Sequence, residues 1–351
     1  MSSNFNFTYF TDYEKNKNIK IGVSAIVGKI SKQISSHKAG WPTMIVNQLK
    51  HAGYTDVTLI HDQKTNWSDF EVIIIEHGME FKGVFNIFGG ANDELYDQVK
   101  RIFTQGVRLY SLHVDMPMIG DLIKVRHKTG TEQFKSLLDK ADIANNICTT
   151  SIPRVDFIEK TEKLVFGDSH CFSTYRPGFM VSRHDGLTMH GALSRGLNTY
   201  VYPWTKELIV YMGNIDVRHH LMRQADPLVS IDKMISDYEN QLKSLNLDSI
   251  TVVEVLPIEN VSRKIPKTGW YKKMPYFGTW EERSALSKYI NIKIEMMCLA
   301  NGWNVYYVPN VFTNEAGELD FKVMEKPQSV HISREFHYWN YEENKINDKI
   351  Q

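Results

Sequence analysis

The sequence predicts an α/β protein built from two doubly wound domains, each with a parallel sheet covered by helices. Its 351 residues exceed what a single core usually holds. Strand-like and helix-like segments alternate with short links between them, as in parallel α/β folds. Some strands, such as residues 71–75, are continuous β-branched runs, which indicates burial on both faces of a sheet.

The first domain is predicted to cover residues 19–155, after an N-terminal extension of residues 1–18. Its helices are recognised by apolar residues at three- and four-residue spacing, and its strands by short apolar runs. The predicted strands are residues 19–27, 56–60, 71–75, 107–114 and 142–147, and the predicted helices are residues 41–52, 93–103 and 134–140.

This first domain is Rossmann-like in pattern, but it lacks a Gly-x-Gly-x-x-Gly fingerprint and a P-loop lysine motif. Residues 89–93 either receive an anion at a helix N-terminus or form a turn and an N-cap. Polar residues at the predicted strand ends include Glu76, His77, His113 and Asp115. The domain resembles the Rossmann-type half of a nucleotide-sugar glycosyltransferase, which implies donor binding. A role in assembly is the alternative.

The second domain is predicted to cover residues 160–345, with a surface crossover at residues 152–163 as the boundary. Its strands are predicted at residues 163–167, 208–212, 249–256 and 303–308, and its helices at residues 234–245 and 280–301. A loop between Pro257 and Gly278 carries four aromatic residues. Such a loop either binds a ligand or packs on the surface.

Composition narrows the class of protein. Lys plus Arg and Asp plus Glu both number 41, so the formal net charge is zero, which argues against a general nucleic-acid binder. Three cysteines without close pairing favour a reducing compartment. The N-terminus has no signal-peptide pattern and no apolar run reaches membrane length. We therefore expect a cytoplasmic protein without membrane contact. The many Lys, Asn and Ile residues are typical of an AT-rich genome such as a phage's, which would place it in the host cytoplasm.

The most informative stretch is the apolar strand that ends in Gly167-Asp168-Ser169-His170. A serine at the carboxyl edge of an α/β sheet stands where such sheets bind and transform ligands. It becomes a nucleophile if a base lies within hydrogen-bond reach, and otherwise it serves as a helix N-cap. His331 is the candidate base, and the alternative for it is a hydrogen-bonded surface histidine.

Further blocks follow in order, namely Met189-His190-Gly191, Gly213-Asn214-Ile215-Asp216 and Val330-His331. With them, residues 163–338 resemble the SGNH, or GDSL-like, hydrolase superfamily, whose fold is flavodoxin-like. The resemblance implies that Ser169 is the nucleophile, with Asp168 beside it in the catalytic group, and that His331 is the general base. It also implies an oxyanion hole formed by the backbone N–H groups of Ser169 and Gly191, helped by Asn214.

Two departures from the superfamily pattern matter. Ile215 stands where the third block usually has Asn, and Gln328 stands where the last block usually has Asp. A glutamine orients an imidazole without stabilising imidazolium as a carboxylate does. The chain therefore uses a Ser–His dyad, borrows a carboxylate such as Asp216 or Glu325, or has kept binding or transfer without hydrolysis.

Several polar residues near these blocks are predicted to contact substrate, namely His170, Asp216, Arg218, His219 and His220. Arg218 suits a carboxylate, phosphate or sulfate, or else pairs internally with Asp216 or Asp168. Three imidazoles resemble a zinc ligand set, but His219 and His220 are adjacent in sequence and no metal is expected. Cys171 is either a buried wall of the site or a reactive thiol.

We therefore expect a serine-dependent esterase, acyl hydrolase or acyltransferase without a cofactor, whose partner is a small-molecule or carbohydrate ester. One alternative is a nucleotide-sugar-dependent transferase that modifies nucleic acid or glycan. Another is a binding module that lacks catalysis, which Ile215 and Gln328 make plausible.

Overall fold

The computed structural model describes ten stretches of the chain, and these divide between two compact units, Met1–Lys160 and Thr161–Gln351. The described residues are 7–24, 40–60, 65–76, 105–112, 154–184, 186–259, 274, 277–324, 330–333 and 336–337. The predicted α/β class is confirmed, because every ladder between neighbouring strands in the two sheets is parallel.

The N-terminal unit holds a five-stranded sheet in the order β2-β1-β3-β4-β5. Val72, Ile73 and Ile74 are completely buried, as expected for a strand covered on both faces. Its strands are β1 (Lys20–Ser24), β2 (Asp56–Ile60), β3 (Val72–Glu76), β4 (Arg108–Leu112) and β5 (Arg154–Val155). Its described helices are α1 (Phe10–Tyr13) and α2 (Gly40–His51), with a 3₁₀ turn at Trp67–Asp69.

The segment ahead of β1 belongs to this unit rather than standing apart from it. Phe10 is fully buried, and its N–H donates to the carbonyl of Phe157 at 2.9 Å. The buried Glu14 carboxylate accepts two bonds from the Arg108 guanidinium, at 2.7 and 3.0 Å, and one from the Tyr110 hydroxyl. Part of the predicted extension, residues 7–18, therefore packs into the sheet domain.

The C-terminal unit holds a second five-stranded parallel sheet, in the order β10-β9-β8-β6-β7. Counted from its own first strand, this order is 2-1-3-4-5, which is also the order of the N-terminal sheet and is flavodoxin-like. The strands are β6 (Lys163–Gly167), β7 (Met180–Arg183), β8 (Glu207–Tyr211), β9 (Ser249–Val253) and β10 (Asn304–Tyr306). The helices are α3 (Met189–Arg195), α4 (Pro227–Ser244) and α5 (Trp280–Asn301).

The strand order reverses between β6 and β8, and this reversal positions the candidate site. In open α/β sheets, ligands bind outside the carboxyl ends of the strands at such a switch point. Residues 168–170 follow β6 and residues 212–214 follow β8. The sheet thus brings the first and third sequence blocks to neighbouring strand ends.

Local sequence signals explain where the long helices begin. Asp226 caps α4 by accepting from the backbone N–H groups of Leu228 and Val229, both at 3.0 Å, so this helix begins seven residues before the predicted start. Thr279 and Glu282 form a capping box at the start of α5. Gly302, at φ 67°, ends that helix in the left-handed conformation.

The predicted elements can be compared with these bounds. Helices 41–52 and 280–301 and strands 56–60, 71–75, 163–167 and 208–212 are confirmed within a residue or two. Strands β5 and β7 were not predicted, and β5 lies in the predicted surface crossover. The predicted helices 93–103 and 134–140 and the strand 142–147 lie outside the described residues. None of the helices in the described parts of the chain is long and apolar enough to cross a membrane.

Candidate active site

The turn after β6 is shaped by close approach to β8. A Cβ atom on Gly167 would lie 2.0 Å from the carbonyl oxygen of Tyr211, so this position requires glycine. The N–H of Asp168 donates to that same carbonyl at 3.1 Å. The strand therefore ends against its neighbour, and the next residue, Ser169, is held at the sheet's carboxyl edge and remains partly accessible.

Ser169 and His331 are in direct contact. The Ser169 Oγ lies 2.7 Å from His331 Nε2, across 162 residues of sequence. His331 is carried by residues 330–333, where Ser333 donates its N–H to the carbonyl of Val323 at 2.8 Å. The alternative role of Ser169 as a helix N-cap is absent, because His170 occupies that position before the 3₁₀ turn Cys171–Thr174.

Asp168 acts on His170 in this structure. Asp168 is completely buried, and its Oδ1 accepts from the backbone N–H of His170 at 2.8 Å and faces Nδ1 of the same residue at 2.9 Å. Burial alone raises the pKa of Asp168, but the charge and hydrogen bonds of His170, with the charge of Arg218, hold that pKa below its ordinary value. The carboxylate is therefore ionised at neutral pH.

His170 also reaches the segment that carries His331. Its Nε2 lies 3.2 Å from the carbonyl oxygen of Val330, and its ring meets the His331 ring edge to face at 5.2 Å between centroids. Burial lowers the pKa of His170, and the neighbouring Asp168 carboxylate offsets part of this effect. His170 was predicted to contact substrate, but its ring is buried and both ring nitrogens face protein oxygens.

Asn214 follows β8 through a tight glycine turn. Gly213 has φ 108°, a left-handed conformation that favours glycine. The side-chain Oδ1 of Asn214 accepts from the N–H of Leu256 at 3.0 Å, which fixes the orientation of the amide. The Nδ2 of Asn214 is buried and has no hydrogen-bond partner among the described residues. A buried donor without a partner costs free energy, so an acceptor on a bound ligand is expected to use it.

Arg218 forms an internal ion pair, but with a different partner from either predicted one. Its Nε donates to Glu259 Oε2 at 2.7 Å, and the side chains of Arg218 and Glu259 are 3% and 1% exposed. Its NH1 donates to the backbone carbonyl of Asn214 at 3.0 Å. The predicted pairing with Asp216 or Asp168 is corrected to Glu259, and the buried guanidinium supports the Asn214 turn rather than standing open to an anionic substrate.

The second block forms the start of α3. Gly191, predicted as an oxyanion donor, gives its N–H to the N-cap side chain of Thr188 at 2.9 Å. The carboxylate of Asp216 accepts from the N–H groups of Met189 and His190 at 2.7 and 3.2 Å. Burial raises the pKa of Asp216 to about 6, although these two backbone bonds lower it. The first turn of α3 is therefore satisfied by protein groups.

A cavity of about 360 Å³ with a mixed polar and apolar lining lies beside this helix start. Asp216, His190 and His220 line it, together with polar side chains of α3 and α4. Burial, followed by the charges of His190 and Arg223, lowers the pKa of His220. Of the two adjacent histidines, His220 lines this cavity and His219 does not. No cluster of three potential metal ligands occurs in the described ranges.

Some functional neighbours were missed by sequence reasoning. Glu254 and Glu259 flank the apolar stretch after β9, and acids beside buried apolar residues are a signal for a buried cation. Thr188 is an ordinary N-cap residue and could have been found by its position before α3. The carbonyl of Val330 has no sequence signal. Gln328 and Glu325, named as possible substitutes for the usual aspartate, lie outside the described residues. Cys171 is completely buried and is not part of a disulfide.

Comparisons with known proteins add fold-level similarity. No protein-family model matches the chain, and no curated protein does. The chain is similar to the solved structure of a GDSL-like lipase from Bacteroides thetaiotaomicron VPI-5482, at 16% identity and a TM-score of 0.39, over 54% of this chain and 87% of the lipase.

Two further solved structures are similar over the same share of the chain. One is the lipase/acylhydrolase from Enterococcus faecalis, at 12% identity and a TM-score of 0.36, over 51% of this chain and 90% of that chain. The other is the acetyl xylan esterase AlAXEase, at 13% identity and a TM-score of 0.36, over 54% of this chain and 100% of that chain. These similarities are too distant to carry a function.

Proposed function

We propose that the C-terminal unit is a serine-dependent acyl hydrolase or acyltransferase that acts on esters, with Ser169 as nucleophile and His331 as general base. The observation that carries this proposal is the 2.7 Å contact between Ser169 Oγ and His331 Nε2 at the switch point of the sheet. A serine hydroxyl is a weak nucleophile until an adjacent base takes its proton. The pair supplies that arrangement on a partly accessible strand end.

The reaction follows from this pair. Ser169 Oγ attacks the ester carbonyl carbon while His331 Nε2 takes the hydroxyl proton, and the carbonyl electrons move onto oxygen. Collapse of the tetrahedral intermediate breaks the ester C–O bond, and His331 returns its proton to the departing alcohol. Water or a second alcohol then attacks the carbonyl carbon of acyl-Ser169 while His331 takes its proton. Collapse of this second intermediate breaks the bond to Ser169 Oγ, which recovers its proton from His331. The first acceptor gives hydrolysis and the second gives transfer.

The tetrahedral intermediate requires donors aimed at its oxygen. We assign this role to the Nδ2 of Asn214, which is buried without a partner among the described residues, and to the backbone N–H of Ser169. Such a donor contributes roughly 3–4 kcal/mol to the transition state. Gly191 is left out of this set because its N–H is already bonded to Thr188.

We further propose that the alcohol part of the substrate is rich in hydroxyl groups, as in an acylated carbohydrate. The cavity beside α3 supports this, because side chains that donate and accept hydrogen bonds line much of it. Asp216 connects this cavity with the nucleophile turn, since the charge of Asp168 contributes to the raised pKa of Asp216.

The test is labelling of the pure protein by a fluorophosphonate probe, followed by intact-mass analysis. Wild type is expected to gain one adduct, and Ser169→Ala and His331→Ala to lose it. Ser244→Ala is the matched control, because Ser244 is an exposed serine of the same unit whose hydroxyl bonds to the carbonyl of Gln241. Its labelling should be unchanged. Release of acetate from acetylated sugars should fall on the order of 10⁴-fold or more in Ser169→Ala.

Two labelling results would contradict the assignment of Ser169 as nucleophile. A folded wild type that gains no adduct, or one that keeps its adduct in Ser169→Ala, contradicts the nucleophile assignment. The chain would then be treated as a binding module, and nucleotide-sugar binding by the N-terminal unit would be measured next by calorimetry.

A further inference from the structure

We propose that His170 is a positioning residue for this reaction, which ties the segment carrying the base to the turn carrying the nucleophile. Its Nδ1 binds Asp168 and its Nε2 binds the main-chain carbonyl of Val330, the residue next to His331. The catalytic consequence rests on the proposed function, whereas the bridge itself is a structural feature that can be tested without it.

The bridge joins parts of the chain that are far apart in sequence. His170 and Val330 are separated by 160 residues, and Ser169 and His331 by 162. Ser169 and His331 are therefore each the direct neighbour of a bridge residue. A change at the bridge would displace both partners of the catalytic contact. A misplacement of about 1 Å costs on the order of 10²-fold in rate.

Burial makes this bridge specific. His170 is 3% exposed and Asp168 is fully buried, so water does not compete for the bond between them, and the bond from His170 to the Val330 carbonyl is partly buried. The rings of His331, at 5.2 Å, and of Tyr211, at 5.9 Å, pack against His170 and limit its rotation. The charged or titratable groups that act on it are Asp168, His331 and Arg218.

The hydrogen-bond acceptors around the His170 ring determine which of its nitrogens carry protons. A carboxylate and a carbonyl oxygen only accept hydrogen bonds, so both bonds exist together only when both ring nitrogens carry protons. The complete bridge is therefore an imidazolium with Asp168 as its counter-charge. Because burial lowers the pKa of His170, the neutral ring at higher pH keeps one of the two bonds.

Two matched substitutions separate the two bonds. In His170→Asn the amide nitrogen stands near the former Nδ1, toward Asp168, and in His170→Gln it extends near the former Nε2, toward Val330. We expect the fluorophosphonate labelling rate to fall about 10²-fold in His170→Asn and to stay within about threefold of wild type in His170→Gln. Thermal melting of both variants is measured in parallel. Equal labelling rates in the two variants would overturn the positioning role.

A measurement on the wild type does not depend on any variant folding. ¹⁵N-histidine NMR across a pH titration should show that both ring nitrogens of His170 become protonated, with Nε2–H hydrogen-bonded to the carbonyl of Val330. An Nε2 that stays unprotonated over the whole range in which the protein is folded contradicts the bridge. If the wild type shows this bridge but takes no probe, the proposed function fails while the bridge stands.

Discussion

The two units share one strand order, but the structure describes the residues after the switch-point strands in the C-terminal unit alone. Each sheet is a parallel 2-1-3-4-5 arrangement with its reversal between the first and third strands. In the C-terminal unit, Ser169 follows the first strand and Asn214 follows the third. In the N-terminal unit, residues 25–39 and 77–104 follow the equivalent strands and lie outside the described residues. The strand order therefore sets where a site can form, and the residues that follow the strands determine whether a reaction takes place there.

The two units also differ in how deeply an Arg–Glu ion pair is buried in each. Arg218–Glu259 in the C-terminal unit is almost fully buried, whereas Arg108 in the Arg108–Glu14 pair of the N-terminal unit is 47% exposed. Burial makes a pair costly to break, because the remaining charge is left without water or a partner. An exposed cation is solvated again when its partner is lost. Breaking an Arg–Glu pair should therefore cost more free energy in the C-terminal unit than in the N-terminal unit.

The largest effect on stability is expected from breaking the buried pair. Glu259→Gln should lower the free energy of unfolding by about 3–5 kcal/mol, because it leaves the Arg218 guanidinium buried without a carboxylate. Glu14→Gln should cost about 1 kcal/mol, since Arg108 is half exposed. Urea unfolding, followed by hydrogen exchange in each unit, measures both costs. Equal costs would show that burial does not distinguish these pairs.

A second pair of variants compares glycines in the first strand of each sheet. A Cβ on Gly167 would meet the backbone of Tyr211 at 2.0 Å, whereas a Cβ on Gly22 would meet side-chain ends of Ile60 and Ile73 at 2.5 and 2.7 Å. Side-chain ends can shift and a neighbouring strand cannot. Gly167→Ala should therefore cost about 3 kcal/mol or more, and Gly22→Ala about 1–2 kcal/mol.

The readout for these glycine variants has two parts. Denaturant midpoints give the stability, and the fluorophosphonate labelling rate reports on the nucleophile turn. Labelling should fall in Gly167→Ala and stay at the wild-type rate in Gly22→Ala. If Gly22→Ala loses more stability than Gly167→Ala, the closer backbone contact of Gly167 in β6 is contradicted.

The third prediction concerns pH. Burial raises the pKa of Asp216 from 3.8 to about 6, so the folded protein holds a proton that the unfolded chain has already lost. Stability therefore falls as the pH rises from about 4 to about 6 and is level above that range. The contribution is at most about 3 kcal/mol, from 1.36 kcal/mol per pKa unit.

Asp216→Asn should remove this pH dependence, because its amide stays neutral and can still accept a backbone bond. Denaturant midpoints at pH 4, 5, 6 and 7 measure it against wild type. Asp226→Asn, at an exposed N-cap in the same unit, serves as the control and should leave the slope unchanged. The prediction fails if wild type and Asp216→Asn lose stability in parallel over this range.

The smallest effect is expected at a helix start that touches neither the serine nor its base. Thr279→Ala removes the capping box of α5 and should cost about 1 kcal/mol, whereas Thr279→Ser should keep most of the stability. Thermal unfolding measures the difference. Labelling of Ser169 should be unaffected in both, and a loss of labelling would show that α5 takes part in the site.

Much of the fold followed from local sequence signals. Apolar runs predicted β6 and β8, and helical apolar spacing predicted α5, within about a residue of their observed bounds. Strand β7 was missed because it has four residues and its second half is Ser182 and Arg183, which give no apolar run. Strand β5 was missed because two residues after a proline carry no periodicity.

The candidate site was predictable where order along the chain carried the signal. The sequence of blocks paired Ser169 with His331, and the structure brings these two into contact. The partner of Arg218 was not predictable, because only sequence neighbours were considered as its partners. Glu259 lies 41 residues from Arg218, and burial, which the sequence does not specify, selects it.

Ser169 and His331 lie 162 positions apart in the sequence, and this separation has a consequence during synthesis. A ribosome that adds about 5–20 residues per second needs on the order of 10–30 s to make the intervening chain. The strands β7 to β10 are all translated within that interval, whereas the segment with His331 follows them. The growing polypeptide thus carries Ser169 without the base proposed for it until translation has passed the whole second sheet.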